Sequence, residues 1–188
     1  MIEYERVHPE TRGEWRVWLE AHHDLSPGVW LVQWRTATGR RRMNYEEIIE
    51  EALCFGWIDS RALKLDDERT MITMTPRRVK SIWSRPNKDR VERLIAEGRM
   101  TAAGLRAIEI AKGNGSWAVL DDVDTLTVPD DLAAALAANP QAQAHFDAFT
   151  RSGKRMILYW ITSAKRAETR GRRIAETVRL AAQNRRPG

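Results

Sequence analysis

The chain has one cysteine, and no apolar run approaches the roughly 20 residues that cross a bilayer. A lone thiol forms no internal disulfide, so a reducing compartment and a fold held by its own core are expected. The opening Met1-Ile2-Glu3-Tyr4-Glu5-Arg6 lacks the basic-then-apolar layout of a secretory signal, and a cytoplasmic protein is expected. Cys54 ends an apolar helical stretch with no histidine near it in sequence, which fits a buried structural thiol better than a nucleophile. His8, His22, His23 and His145 match no metal-ligand spacing. There is no phosphate loop, no G-x-G-x-x-G and no G-x-S-x-G elbow. We therefore expect no metal and no cofactor, assign no catalytic residue, and lean away from an enzyme.

Charge is present in blocks. Residues 76 to 112 are basic, residues 113 to 150 hold no Lys or Arg but six Asp, and the chain from Arg151 onward is basic again. Such blocks can dock on one another within the fold, or present a footprint to a polyanion. In the last helical stretch, Lys165 to Arg173 has many guanidiniums but nothing that reads bases. A solvated face that docks on the acidic block is the better reading, and nucleic acid the weaker one.

The pattern along the chain is α+β: a small antiparallel sheet in the N-terminal half packed with helices, then a helical C-terminal half. Thr11-Arg12-Gly13-Glu14 has capping-box spacing ahead of Trp15, Trp18, Leu19 and His22 at helical intervals. Val29 to Trp34 reads as a strand. Asn44-Tyr45-Glu46-Glu47 repeats the capping box, and Gly56 suits the left-handed end of that second helix. Residues 57–65 and 70–75 form a hairpin around Asp66-Asp67-Glu68, stopped by Pro76. Beyond it Asn87 caps one helix and Thr101 another, and Asn139-Pro140 starts a later one. We expect residues 1–188 to form a single unit, with about 1–85 its α/β part and about 86–188 its helical part.

The densest chemistry lies between Leu53 and Asn87. By the two-residue period of a strand, Trp57, Asp59 and Arg61 share one face. Arg77 and Arg78 follow Pro76, with Ser81, Trp83, Ser84 and Asn87 close behind. Guanidiniums beside hydroxyls and a helix start are the parts of an anion site, with indoles as walls. Each part also has a structural use: Asp59 can pair an Arg, Ser84 and Asn87 are common helix-capping residues, and Trp83 can peg the loop to the core.

Several words in this stretch are rare combinations: Glu51-Ala52-Leu53-Cys54-Phe55-Gly56-Trp57-Ile58-Asp59, Thr75-Pro76-Arg77-Arg78 and Ser81-Ile82-Trp83-Ser84. With Asn87, Gly98-Arg99-Met100, Ala111-Lys112, Val128-Pro129 and Ala164-Lys165-Arg166 to Thr169-Arg170, they resemble the YdeI/OmpD-associated, or bacteriocin-protection, family. The resemblance runs from about Trp15 to Ile174; Ser60 departs from it, since the family often has Gly after the Asp. It implies a soluble bacterial protein tied to protection against bacteriocins and cationic antimicrobial peptides, and it brings no catalytic residues.

The reading is thus a stress-protection protein that binds a small anionic ligand or a protein partner, with no membrane span and no implied oligomeric state. Its expected site is Trp57, Asp59, Arg61, Arg77, Ser81, Trp83, Ser84 and Asn87. An enzyme acting on a small anionic metabolite with Asp59 as general base, and a polyanion binder using the C-terminal helix, are the alternatives.

Overall fold

The computed structural model describes residues 4–187 and is α+β, as the sequence pattern implies. It divides into two compact units, residues 1–117 and 118–188.

The first unit carries a four-stranded sheet in the order β1-β2-β4-β3. The strands are β1 (Glu5–Val7), β2 (Val29–Trp34), β3 (Trp57–Lys64) and β4 (Arg69–Pro76). β2 pairs antiparallel with β4, and β3 with β4, so the expected sheet is present. The short β1 extends it, running parallel to β2 with Arg6 opposite Trp30. Three residues are too few to show a period in sequence; β1 is defined by the free edge of β2, which it covers. Asp66 closes the hairpin turn by accepting the amides of Glu68 (3.0 Å) and Arg69 (2.7 Å).

Residues directly opposite on paired strands share a face, so Val29, Leu31, Met74 and Trp57 point together into the core. All four are essentially inaccessible to solvent. They pack with Trp15 and Leu19 of α1 (Arg12–His22) and with Ile49, Ala52 and Leu53 of α2 (Tyr45–Cys54). Asn44 and Glu47 form the full capping box expected of α2. At the start of α1, Thr11 caps the Glu14 amide, but the Glu14 carboxylate accepts from Glu10 instead of closing the box.

Two helices of the C-terminal half of the sequence belong to this first unit: α3 (Arg85–Ala96) and α4 (Ala102–Gly113). α3 starts earlier than expected. Ser84, not Asn87, takes the N-cap position, because Pro86 with its fixed φ belongs in the first turn and draws the helix start ahead of itself. Asn87 instead accepts a hydrogen bond from Arg90 at 2.8 Å.

The second unit consists of α5 (Asp121–Thr125), α6 (Asp130–Ala137), α7 (Pro140–Ala148), α8 (Arg151–Thr162) and α9 (Ala167–Ala182). Leu132, Leu136, Phe146, Ile157, Leu158 and Ile161 fill its core. The acidic and basic blocks meet here as ion pairs: Arg155 with Asp124 at 2.8 Å, and Arg170 with both oxygens of Asp131 at 2.6 and 2.9 Å. Asn139 caps α7 ahead of Pro140, as its sequence signals.

Candidate functional site

Arg77 leaves the sheet just after β4, and its backbone is fixed by donating its amide to the Gly56 carbonyl at 2.9 Å. Gly56 has φ +73°, the left-handed conformation that ends α2 and turns the chain into β3. The side chain of Arg77 then lies flat on the Trp83 indole, with the guanidinium carbon 3.7 Å from the ring centroid. Nη1 donates to Ser81 Oγ at 3.3 Å and to the Ile82 carbonyl at 3.4 Å, both long. Nε is buried and has no hydrogen-bond partner. Among the described residues no carboxylate lies within ion-pair distance of Arg77.

A half-buried cation with no carboxylate partner is costly. Burial pushes the Arg77 guanidinium from 12.5 down to about 10, with Asp59 at longer range pulling the other way. A downward displacement of that size corresponds to a folded-state penalty on the order of 3 kcal/mol. The group stays charged at neutral pH, so an anion brought to it would relieve that penalty.

The residues around it enclose a hollow of about 440 Å³. Trp57, Trp83, Arg77 and Ser81 border it, as do His23 and Asp24 after α1, Arg78 and Val79 of the loop, and Arg106, Ala107 and Ile110 of α4. Trp57 is held by donating its indole N–H to the His23 carbonyl at 3.0 Å. α4 reaches the hollow because small residues let it approach. A Cβ on Gly104 would stand 2.3 Å from the Cys54 carbonyl oxygen, and one on Gly56 would stand 3.1 Å from Ala107 Cβ. Thr101 completes the junction, its hydroxyl donating to the Cys54 carbonyl at 2.6 Å.

The eight expected site residues divide. Trp57, Arg77, Ser81 and Trp83 border this hollow, while Asp59 and Arg61, again with Ser81, border a second one of about 840 Å³. The second hollow lies over the sheet face bearing Trp30, Thr73 and Thr75. Trp57 and Asp59 keep the regular register, opposite Pro76 and Met74, and the register shift that follows, between Asp59 and Ala62, takes Arg61 out of the two-residue period they were expected to share. Ser84 and Asn87 border neither hollow and serve the start of α3. Asp59 accepts the Tyr45 hydroxyl at 3.0 Å, and burial together with Asp59 raises that phenol to about 12. The Cys54 thiol is buried, and burial and nearby Glu51 raise it to about 11.

Sequence reasoning passed over two groups. Arg106 and the small residues of α4 join the hollow from far along the chain; the signal available was Ala103, Gly104, Ala107 and Ala111 at helical spacing. The other is an ion-pair cluster in α2. Glu50 and Glu51 are 5% and 2% exposed. Arg12 grips both, at 2.6 and 2.5 Å. Arg16 meets Glu51 at 2.9 Å, Arg99 meets Glu51 at 2.5 Å, and Arg93 meets Glu50. With four guanidiniums from three chain segments answering its carboxylates, this cluster is internally satisfied and clamps α1, α2 and α3 together. Among the described residues no group of His, Cys, Asp and Glu could hold a metal ion. No described helix is long and apolar enough to cross a membrane.

Comparison with known families matches residues 7–107 to a domain of unknown function (DUF8412) and residues 125–184 to the family described as bacteriocin-protection, YdeI or OmpD-associated. The ion-pair cluster and the lining of the hollow, apart from Ile110 and Ala111, lie in the first stretch; the second begins at the last residue of α5 and covers all of α6 to α9. The resemblance drawn from the sequence therefore holds by family, while the words that prompted it between Glu51 and Ser84 fall in the other match. No curated protein and no solved structure matches the chain.

Proposed function

We propose that this chain, which belongs to the DUF8412 family and matches the bacteriocin-protection, YdeI or OmpD-associated family over residues 125–184, serves stress protection by binding a small anionic ligand. The site is the hollow at Arg77, with Ser81 and Arg78 beside the guanidinium and Trp57 and Trp83 as its deep walls. One observation carries the reading: Arg77 is a half-buried cation with no carboxylate partner and an unpartnered Nε, held flat on an indole beside an open hollow. A guanidinium kept only for packing would be matched by a carboxylate, as each of those around Glu50 and Glu51 is.

Binding suits this site better than catalysis. Asp59, the candidate general base, is engaged by Tyr45 and borders the other hollow, which shares Arg78 and Ser81 with this one but not Arg77, Trp57 or Trp83. The polyanion reading is weakened by the same kind of engagement, since Arg170 is committed to Asp131 and Arg173 to the Trp160 carbonyl and Ser163.

Thermal-shift measurement with a panel of small anions tests the proposal. At least one anion should raise Tm in a saturable way, and Arg77→Ala should abolish that shift while leaving the protein folded by circular dichroism. A shift of the same size in Arg77→Ala would remove Arg77 from the site.

A further inference from the structure

Of the eight indoles, seven meet another ring or lie under a cation. Among the described residues, Trp30 alone does neither. Trp34, on the same face of β2, shows the contrast: Arg40 lies 4.3 Å from its ring centroid and His8 4.9 Å away. Trp30 is half-buried and borders the second hollow, on the sheet face opposite to the one that packs on α1 and α2. An indole beside a hollow, claimed by no ring or cation, is a platform for a flat ring.

Strand pairing sets this indole in a row that crosses the sheet. Arg6 of β1 stands opposite Trp30 on one side and Thr73 of β4 on the other. Thr73 Oγ1 donates to the Arg61 carbonyl of β3 at 3.3 Å. The spacing of strands therefore puts the Arg6 backbone about 5 Å from Trp30 on one side, and the Arg61 backbone about 10 Å away on the other. Arg61 borders the hollow, as does Arg78. All three arginines are exposed, and among the described residues none makes an ion pair. The strand-paired positions on this face hold no Asp or Glu. Asp59, the one carboxylate bordering the hollow, accepts the Tyr45 hydroxyl.

An unclaimed indole between unpaired cations suits a chain in which flat rings alternate with negative charges. A polynucleotide has that order, with a phosphate on either side of each internal base. A duplex keeps its base faces inside its own stack, so a single strand is the form that can offer them. An acidic peptide brings the charge without the rings. We propose that this face of the sheet binds single-stranded nucleic acid, one base stacking on Trp30 while the flanking phosphates meet Arg6 on one side and Arg61 on the other. Arg78 adds its charge at the border of the hollow. The sheet thus supplies what the C-terminal helix lacks, a platform for bases. This surface does not depend on the anion reading at Arg77, and either can fail alone.

Fluorescence anisotropy of a short labelled oligothymidylate, with the full chain at low salt, tests the proposal. An abasic oligomer of the same length keeps the phosphates and should bind about tenfold more weakly. Trp30→Ala should weaken the oligothymidylate about tenfold, and Trp30→Phe should restore most of that loss. With three cations engaged, log K against log salt should fall with a slope of about −2, and Arg6→Ala or Arg61→Ala should each reduce that slope by about 0.7. Arg170→Ala, on α9, should bind as the parent does. Equal affinity for the abasic oligomer, measured on the unaltered chain, would overturn base stacking and with it the proposal. Displacement by polyglutamate as effective as by unlabelled oligothymidylate would point to an acidic protein instead. Loss of binding in Arg170→Ala would move the footprint to the C-terminal helix. No change in anisotropy, in a chain folded by circular dichroism, would overturn the proposal outright.

Discussion

The two units differ in what they bury. The first places polar and charged groups in its interior: Glu50, Glu51, Lys88 and the neutral Gln33 are all less than about a tenth exposed, and the indoles of Trp15, Trp57 and Trp83 are buried as well. The second buries Leu, Ile, Phe and Ala, with Thr177 its one buried polar residue among those described, and the Thr177 hydroxyl simply returns to the Arg173 carbonyl one turn back. Helices with a continuous apolar stripe need only non-directional burial to assemble. The first unit joins strands and helices distant in sequence, and it uses directional contacts such as Arg12 to Glu50 and Thr101 to Cys54 to fix them. Its uncommitted donor, on Arg77, is where that directional chemistry is left open. The bacteriocin-protection name thus attaches to the unit with the plainer interior, and the groups fit for binding lie in the other.

That contrast breaks most readily at the closest backbone approach in the first unit. Gly104→Ala would place a methyl 2.3 Å from the Cys54 carbonyl oxygen, and backbone on both sides has to move. A loss of about 3 kcal/mol or more is expected. Seven of the eight tryptophans fall at or before Trp117, with only Trp160 beyond it, so tryptophan fluorescence in a denaturant titration reads mainly the first unit. An unchanged fluorescence midpoint would mean that α4 does not depend on that contact. Leu132→Ala, in the core of the second unit, should cost a similar amount and report chiefly in far-UV circular dichroism.

The buried carboxylates give the next effect. Glu51→Gln removes a charge that Arg12, Arg16 and Arg99 all meet, and a loss of about 2 kcal/mol is expected, reduced from that of a sealed pair because the three guanidiniums are 26–33% exposed. Glu50 sharpens this as a pH dependence. Burial opposes its charge, but hydrogen bonds from Arg93 and Arg12 outweigh it and hold its carboxyl below the ordinary 4.5. The folded state therefore binds this proton less readily than the unfolded one. The stabilisation is fully present above pH 4.5 and is lost as pH falls through the lower folded-state value. Fluorescence-detected unfolding should show the first unit weakening below about pH 4.5, and Glu50→Gln should flatten that limb.

The same division decided what could be read from residues alone. Caps at Thr11, Asn44, Thr101 and Asn139, the hairpin, and the helical stripes of the second unit are local signals, and local patterns report them. The charge blocks that meet as Asp124–Arg155 and Asp131–Arg170 were legible for the same reason, since composition alone aligned them. The site was legible in its residue types but not in its grouping. One register shift after Asp59 took Arg61 out of the period it was expected to share with Trp57, and a bulge leaves no signature in a run such as Ile58-Asp59-Ser60-Arg61. Arg106 joined from α4, and no local pattern links it to Arg77. Glu50 and Glu51 looked like the solvated side of a helix until four guanidiniums from three segments closed over them.

The smallest expected effect tests whether charge in the second unit is as peripheral as its interior implies. Arg170 meets both oxygens of Asp131, and the hydrogen bond from Arg170 holds that carboxyl below its ordinary value, with burial slightly opposing. The geometry is as good as any in the first unit, but the side chains are 30% and 47% exposed. Water and salt screen such a pair, so Arg170→Ala should cost about 0.5–1 kcal/mol at low salt and fade toward zero near 1 M NaCl. Glu51→Gln should keep most of its cost under the same salt, because its carboxylate is shielded from bulk ions. Parallel denaturant titrations of the two variants across salt make the comparison. If Arg170→Ala kept its full cost in high salt, the acidic and basic blocks of the second unit would be structural elements of the same rank as the Glu50–Glu51 cluster, and the plain interior would not be what holds that unit together.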